Sequence, residues 1–183
     1  MIRRSFLMLV GSALALSGCG FQLRGQQNYA FKHLLVVGAP PSVAARLTRL
    51  VEGGSDTKIV TAPDQADAVL NMSEARGLST LTLNKYGSAS EYAINYTMTY
   101  TLSGTDGTLL IPPSAIALNR AMTYSDQYTN AKVQEADILY ADMQNDAVDQ
   151  LMRRLAIVHS LHPAPEDVVP GVGPRAPLPP PPL

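Results

Sequence analysis

Between Tyr92 and Leu102 the chain alternates strictly between two kinds of residue. Tyr92, Ile94, Tyr96, Met98, Tyr100 and Leu102 fall on one face, and Ala93, Asn95, Thr97, Thr99 and Thr101 on the other. Period-two alternation of aromatic and β-branched residues predicts an antiparallel strand, packed on one side and more polar on the other. Ser103, Gly104, Thr105, Asp106 and Gly107 predict a hairpin turn. A return strand begins over 109–111, is interrupted by Pro112 and Pro113, and resumes over 115–124. Ile116, Leu118, Met122 and Tyr124 share a face there, with Arg120 among them.

The pattern changes elsewhere. A dense apolar run over 31–37, ending at Gly38, predicts a buried strand. Prolines 40 and 41 and Ser42 open a helix to about Val51. Val43, Leu47, Leu50 and Val51 form its apolar face, Arg46 and Arg49 lie toward the other, and Gly53 and Gly54 stop it. Residues 58–61 form a short strand, and 68–83 a longer extended run bent at Gly77. Residues 84–88 read as a turn. A long helix is predicted over 134–158, where Ala136, Tyr140, Met143, Ala147, Leu151, Leu155 and Val158 step by three or four. Acids near its start and Arg153 and Arg154 near its end suit the helix dipole. These elements predict an α/β (α+β) fold: a two-layer sandwich of a roughly four-stranded mixed or antiparallel sheet, with two helices on one face.

The two ends differ from this middle. Met1, Ile2, Arg3 and Arg4 give a positive start, and residues 6–16 are apolar but too few to span a bilayer, which takes about 20. Residues 1–18 therefore read as a secretory signal. It closes on Leu16, Ser17, Gly18 and Cys19, a pattern that resembles the bacterial lipobox. Cys19 is the only cysteine, so it forms no internal disulfide, and it stands where a thiol would carry diacylglycerol. Lipid on Cys19 would anchor the chain to a membrane. Gly20 follows it in place of the aspartate that retains enteric lipoproteins in the inner membrane, which favours the outer membrane. Residues 19–161 form the expected domain, and the proline-rich residues 162–183 an exposed, disordered tail.

Net charge is −1 for the whole chain, and it becomes more acidic once Arg3 and Arg4 are removed. A broad nucleic-acid surface is excluded on that ground. No Gly-x-Ser-x-Gly elbow and no phosphate loop occur. His159 and His162 lack metal-ligand spacing. Asp142, Asp146 and Asp149 could share a helix face, and a solvated face is the simpler reading. The expectation is a protein without catalytic residues, metal or cofactor. The Tyr92, Tyr96 and Tyr100 stripe reads as a sheet face under helices, and the Thr/Asn face as a surface suited to docking against another protein.

Cys19, Gly20, Phe21, Gln22, Leu23, Arg24 and Gly25, directly after the lipobox, resemble the mature start of the LptE family of lipopolysaccharide-assembly lipoproteins. Glu91 and Tyr92 opening the alternating strand are similar to the family pattern. So are Ala131 and Lys132 followed by Glu135, Asp137 and a helix ending in Gln150, Leu151, Met152, Arg153, Arg154 and Leu155. The resemblance implies a two-layer α/β sandwich and a one-to-one complex with the outer-membrane β-barrel LptD, inside which the lipoprotein sits as a plug. Together the two place lipopolysaccharide in the outer leaflet. It further implies lipopolysaccharide-binding cations at Lys85, before the Glu-Tyr strand, and at Lys132, before the long helix. Arg120 is a third candidate, from its place on an apolar strand face. Their role would be pairing with lipid A phosphates. Two other readings share the anchor: an adaptor lipoprotein of another outer-membrane assembly machine, and an anchored cell-wall enzyme.

Overall fold

The computed structural model describes residues 27–164 and 167–171. The signal segment, Cys19 and most of the proline-rich stretch lie outside the described residues. Five strands are present: β1 (His33–Val37), β2 (Lys58–Val60), β3 (Ala68–Leu83), β4 (Ala89–Gly104) and β5 (Leu109–Thr123). Two helices, α1 (Pro41–Gly54) and α2 (Thr129–Leu155), complete the fold. The sheet order is β2-β1-β3-β4-β5. β1 pairs parallel with β2 and β3, whereas β3, β4 and β5 form an antiparallel meander. The two-layer α+β expectation holds, with five strands in place of about four.

Burial explains the layering. On β4 the side chains of Ile94, Tyr96, Met98, Tyr100 and Leu102 are buried, and the alternate residues are not. They meet Val43, Leu47 and Val51 of α1 and Met143, Ala147, Val148, Leu151 and Leu155 of α2 in one apolar cluster. The tyrosine stripe is thus core at Tyr96 and Tyr100. Among the described residues, the opposite face of the meander carries no helix.

Several details differ from expectation for physical reasons. Pro112 and Pro113 do not break the return strand. β5 is an edge strand, so their missing N–H groups are tolerated, and both stand opposite Thr101 alone in a bulge. Gly77 does not bend β3, which keeps unshifted register with β4 from Ala68 to Thr80. α2 begins five residues before the predicted start, so Lys132 lies inside its first turn instead of preceding it. Arg46 does not simply face solvent: its Nη2 donates to Asp149 Oδ1 of α2 at 2.9 Å. The tail expected to be exposed is not so at Val169, which is 6% exposed and joins the apolar cluster that holds Leu110 and Val158.

Candidate functional site

The β3–β4 hairpin projects past its neighbours. Its tip closes on Asn84, whose Oδ1 accepts from the backbone N–H of Tyr86 (2.9 Å) and Ser88 (3.1 Å). Gly87 takes φ +79, a conformation that costs glycine little. Lys85 sits at this tip with its Nζ 4.9 Å from the centroid of the Tyr86 ring. Tyr86 is 79% exposed, and Leu78, Leu81 and Leu83 of β3 are each more than half exposed. A cation beside exposed apolar side chains suits an anionic amphiphile. No carboxylate lies within ion-pair distance of Lys85 among the described residues.

Lys132 reaches the same end of the sheet. Its Nζ donates to Thr123 Oγ1 at 3.1 Å, and Thr123 is paired with Glu91 near the start of β4. The same ammonium forms an ion pair with Glu135 at 2.7 Å, and its side chain is only 17% exposed. Arg120 lies apart, about 10 Å back along β5 from Thr123, on the face beneath α2. Its Nη2 pairs with Asp146 at 2.6 Å. The structure therefore brings Lys85 and Lys132 to one end and leaves Arg120 as a sheet-to-helix tie. The aspartate row divides likewise: Asp146 and Asp149 hold arginines of β5 and α1. The described residues contain no group of three or more His, Cys, Asp or Glu able to hold a metal ion.

A polar cluster that the sequence reading missed holds the outer half of β3 against α2. Glu74 Oε2 accepts from Tyr96 Oη (3.1 Å) and Gln144 Nε2 (2.7 Å), and Glu74 Oε1 from Arg76 Nη2 (3.1 Å). The Arg76 guanidinium lies 5.1 Å from the centroid of the Tyr140 ring, and Tyr140 Oη donates to the Gly77 carbonyl at 2.9 Å. Burial pushes the Tyr96 phenol far above its ordinary range, and the adjacent Glu74 carboxylate adds to that. A carboxylate with three charged or polar donors is satisfied despite its position. The available signal was Glu74 on the face shared with Leu70 and Met72, an acid among core residues.

On the other side of the sheet no charged residue stands on β3 from Val69 to Ser79, on β4 from Ala93 to Ser103 or on β5 from Ala115 to Ala121. None of these open-face side chains is buried. Neighbouring strands are tied across it by Ser73 Oγ to Thr99 Oγ1 (2.6 Å) and by Asn95 Nδ2 donating to Ser79 Oγ (3.1 Å).

Residues 22–155 match the sequence model of the family described as LptE, lipopolysaccharide-assembly. The chain is 28% identical over 173 residues to the LPS-assembly lipoprotein LptE of Yersinia enterocolitica, with 87% of this chain and 79% of that protein covered. It is 29% identical over 169 residues to the LPS-assembly lipoprotein LptE of Pectobacterium atrosepticum, covering 87% and 89%. Among solved structures it is similar to uncharacterized lipoprotein B of Nitrosomonas europaea. The TM-score there is 0.63 at 27% identity, over 75% of this chain and 90% of that one. A minor lipoprotein of Acinetobacter baumannii shares the fold, with a TM-score of 0.57 at 16% identity over 70% and 93%. With a family match over most of its length, the chain belongs to the LptE family of lipopolysaccharide-assembly lipoproteins, lipid-anchored proteins of the outer membrane that face the periplasm.

Proposed function

We propose that this protein plugs and supports an LptD-like outer-membrane β-barrel in a one-to-one complex, and that it binds lipopolysaccharide during assembly at the cell surface. Lipid on Cys19 holds it to the membrane, and the chain carries out no turnover. The observation that carries the plug reading is the uncharged open face of the β3–β4–β5 meander. A water-facing surface is ordinarily studded with charge, whereas a face that docks against protein is depleted of it at its centre. Here the open face of three adjacent strands presents mainly alanine, serine, threonine and asparagine, and no charged side chain stands on that face from Val69 to Ser79 or from Ala93 to Ser103.

The hairpin tip supports lipopolysaccharide contact. Lys85 supplies a point charge for a phosphate, and Leu81, Leu83 and Tyr86 supply apolar surface beside it. Lys132 contributes less, because Glu135 already neutralises it. Depleting the protein is expected to lower surface lipopolysaccharide, and an unchanged surface level contradicts the proposal.

At the level of residues, Lys85→Glu is expected to weaken lipopolysaccharide binding about fivefold at low salt, with the difference shrinking as ionic strength rises. Lys132→Glu is expected to have the smaller effect. Binding measured at two salt concentrations checks both, and equal affinities for wild type and Lys85→Glu would remove Lys85 from the site.

A further inference from the structure

A sheet exposes backbone donors and acceptors wherever a strand lacks a neighbour, and proteins blunt such edges by shortness, charge, proline or bulges. β2 has three residues and begins with Lys58. β5 carries Pro112 and Pro113 in a bulge near its start, and from Ser114 to Thr123 it is paired with β4 alone. A further edge is on β3. β1 accompanies β3 only as far as Val37, opposite Asn71. There the chain turns away at Gly38, which has φ +79 and lies so close to the Met72 carbonyl that a Cβ would stand 2.3 Å from its oxygen. From Ser73 to Thr80 β3 is paired with β4 alone.

The direction of the free backbone groups follows from the ladder on the other side. The Gly104 N–H donates to the Thr108 carbonyl, and the Tyr124 N–H to the Ser90 carbonyl, so even-numbered residues of β4 face β5 and odd-numbered ones face β3. Their partners Ser73, Ala75, Gly77 and Ser79 therefore face β4. Backbone groups alternate along a regular strand, so those of Glu74, Arg76, Leu78 and Thr80 point away from β4, as the Met72 carbonyl does toward Gly38. No turn or loop backbone bond engages these residues among the described ones. The stretch contains no proline, and its two charges, Glu74 and Arg76, are paired with each other. It has neither the shortness of β2 nor the prolines and bulge of β5.

We propose that the β3 edge from Ser73 to Thr80 receives an extended strand of the partner, which continues the sheet by a backbone ladder. The occupant carries small, uncharged residues on the side that adjoins Ser73, Ala75 and Ser79, and apolar ones beside the exposed Leu78. This inference rests on the plug reading given above. Given that reading, the strand comes from a segment of the barrel protein lying within its lumen, since the wall strands of a closed barrel have no free edge.

The test uses the full-length lipoprotein coexpressed with its barrel. Leu78→Pro and Thr80→Pro each remove an outward N–H and leave the β4 ladder untouched, a placement that edge strands tolerate. Leu78→Lys and Thr80→Lys keep the backbone and place charge along the edge but off the uncharged face, which covers the case in which a proline variant does not fold. Folded variants are expected to recover at least about tenfold less barrel than wild type, as loss of several ladder hydrogen bonds implies. In the wild-type complex the amides of Glu74, Arg76, Leu78 and Thr80 are expected to exchange slowly, and in the isolated chain quickly. Folded edge variants that bring down the wild-type amount of barrel overturn the edge inference alone. Wild-type protein that brings down no barrel overturns the plug reading and this occupant with it. A wild-type dimer that the lysine variants dissociate assigns the edge to a second copy and overturns the partner strand.

Discussion

Tyr96→Ala is expected to lower the free energy of unfolding by about 3–5 kcal/mol, the largest single-residue effect in the fold. Tyr96 is completely buried at the centre of the sheet, between the layers. Its loss removes a full aromatic side chain from the contact with α2, and it takes one donor from Glu74. Tyr96→Phe separates the two contributions. It keeps the ring and leaves Glu74 with Gln144 and Arg76, so it is expected to cost only about 1 kcal/mol. Denaturant titration checks both. The Phe variant also has a pH signature. The folded phenol titrates far above its ordinary range, because burial and the Glu74 charge disfavour phenolate. In the unfolded chain it ionises near about pH 10. Its contribution is therefore intact below that pH and is lost as pH rises, since the unfolded state then releases a proton that the folded state retains. Wild-type stability is expected to fall more steeply above about pH 10 than that of Tyr96→Phe. Parallel curves would remove Glu74 and burial as the cause.

Gly38→Ala is expected to destabilise by about 2–4 kcal/mol, from backbone strain together with a forced contact. Both Gly38 and Gly87 have φ +79, but only at Gly38 would a Cβ meet backbone, the Met72 carbonyl oxygen. Gly87 faces open space. Gly87→Ala is accordingly expected to cost about 1 kcal/mol. The difference between the two variants isolates the close approach at which β1 leaves the sheet. Similar losses at both sites would show that the junction relaxes without cost and that the end of β1 is not fixed by Gly38.

Local periodicity made much of this fold legible. The stripe from Ile94 to Leu102 is buried as its alternation predicts, and Val43, Leu47 and Val51 form the buried face of α1. What eluded the sequence depends on pairing between distant segments. Pro112 and Pro113 look like a break until β5 is known to be an edge. The first turn of α2 has no side-chain cap, so nothing in the sequence marked Thr129 as its start. Val169 sits in proline-rich sequence whose composition gives no hint of burial. As candidate cations, Lys85 and Lys132 were nameable from the resemblance and Arg120 from its place on an apolar face. Their partners were not, because Glu135 and Asp146 acquire meaning only when α2 is laid along the sheet. The open β3 edge is a mismatch between a five-residue and a sixteen-residue strand, visible only once the two are known to be adjacent.

On the proposed reading, the uncharged sheet face and the open β3 edge meet a protein partner that encloses this side of the molecule. Affinity purification of the wild-type lipoprotein from outer membranes, followed by quantitation of each polypeptide, tests that claim most directly. The account predicts one large β-barrel recovered in a one-to-one ratio with the lipoprotein. Recovery of the lipoprotein alone, or with peptidoglycan enzymes in place of a barrel, would contradict it.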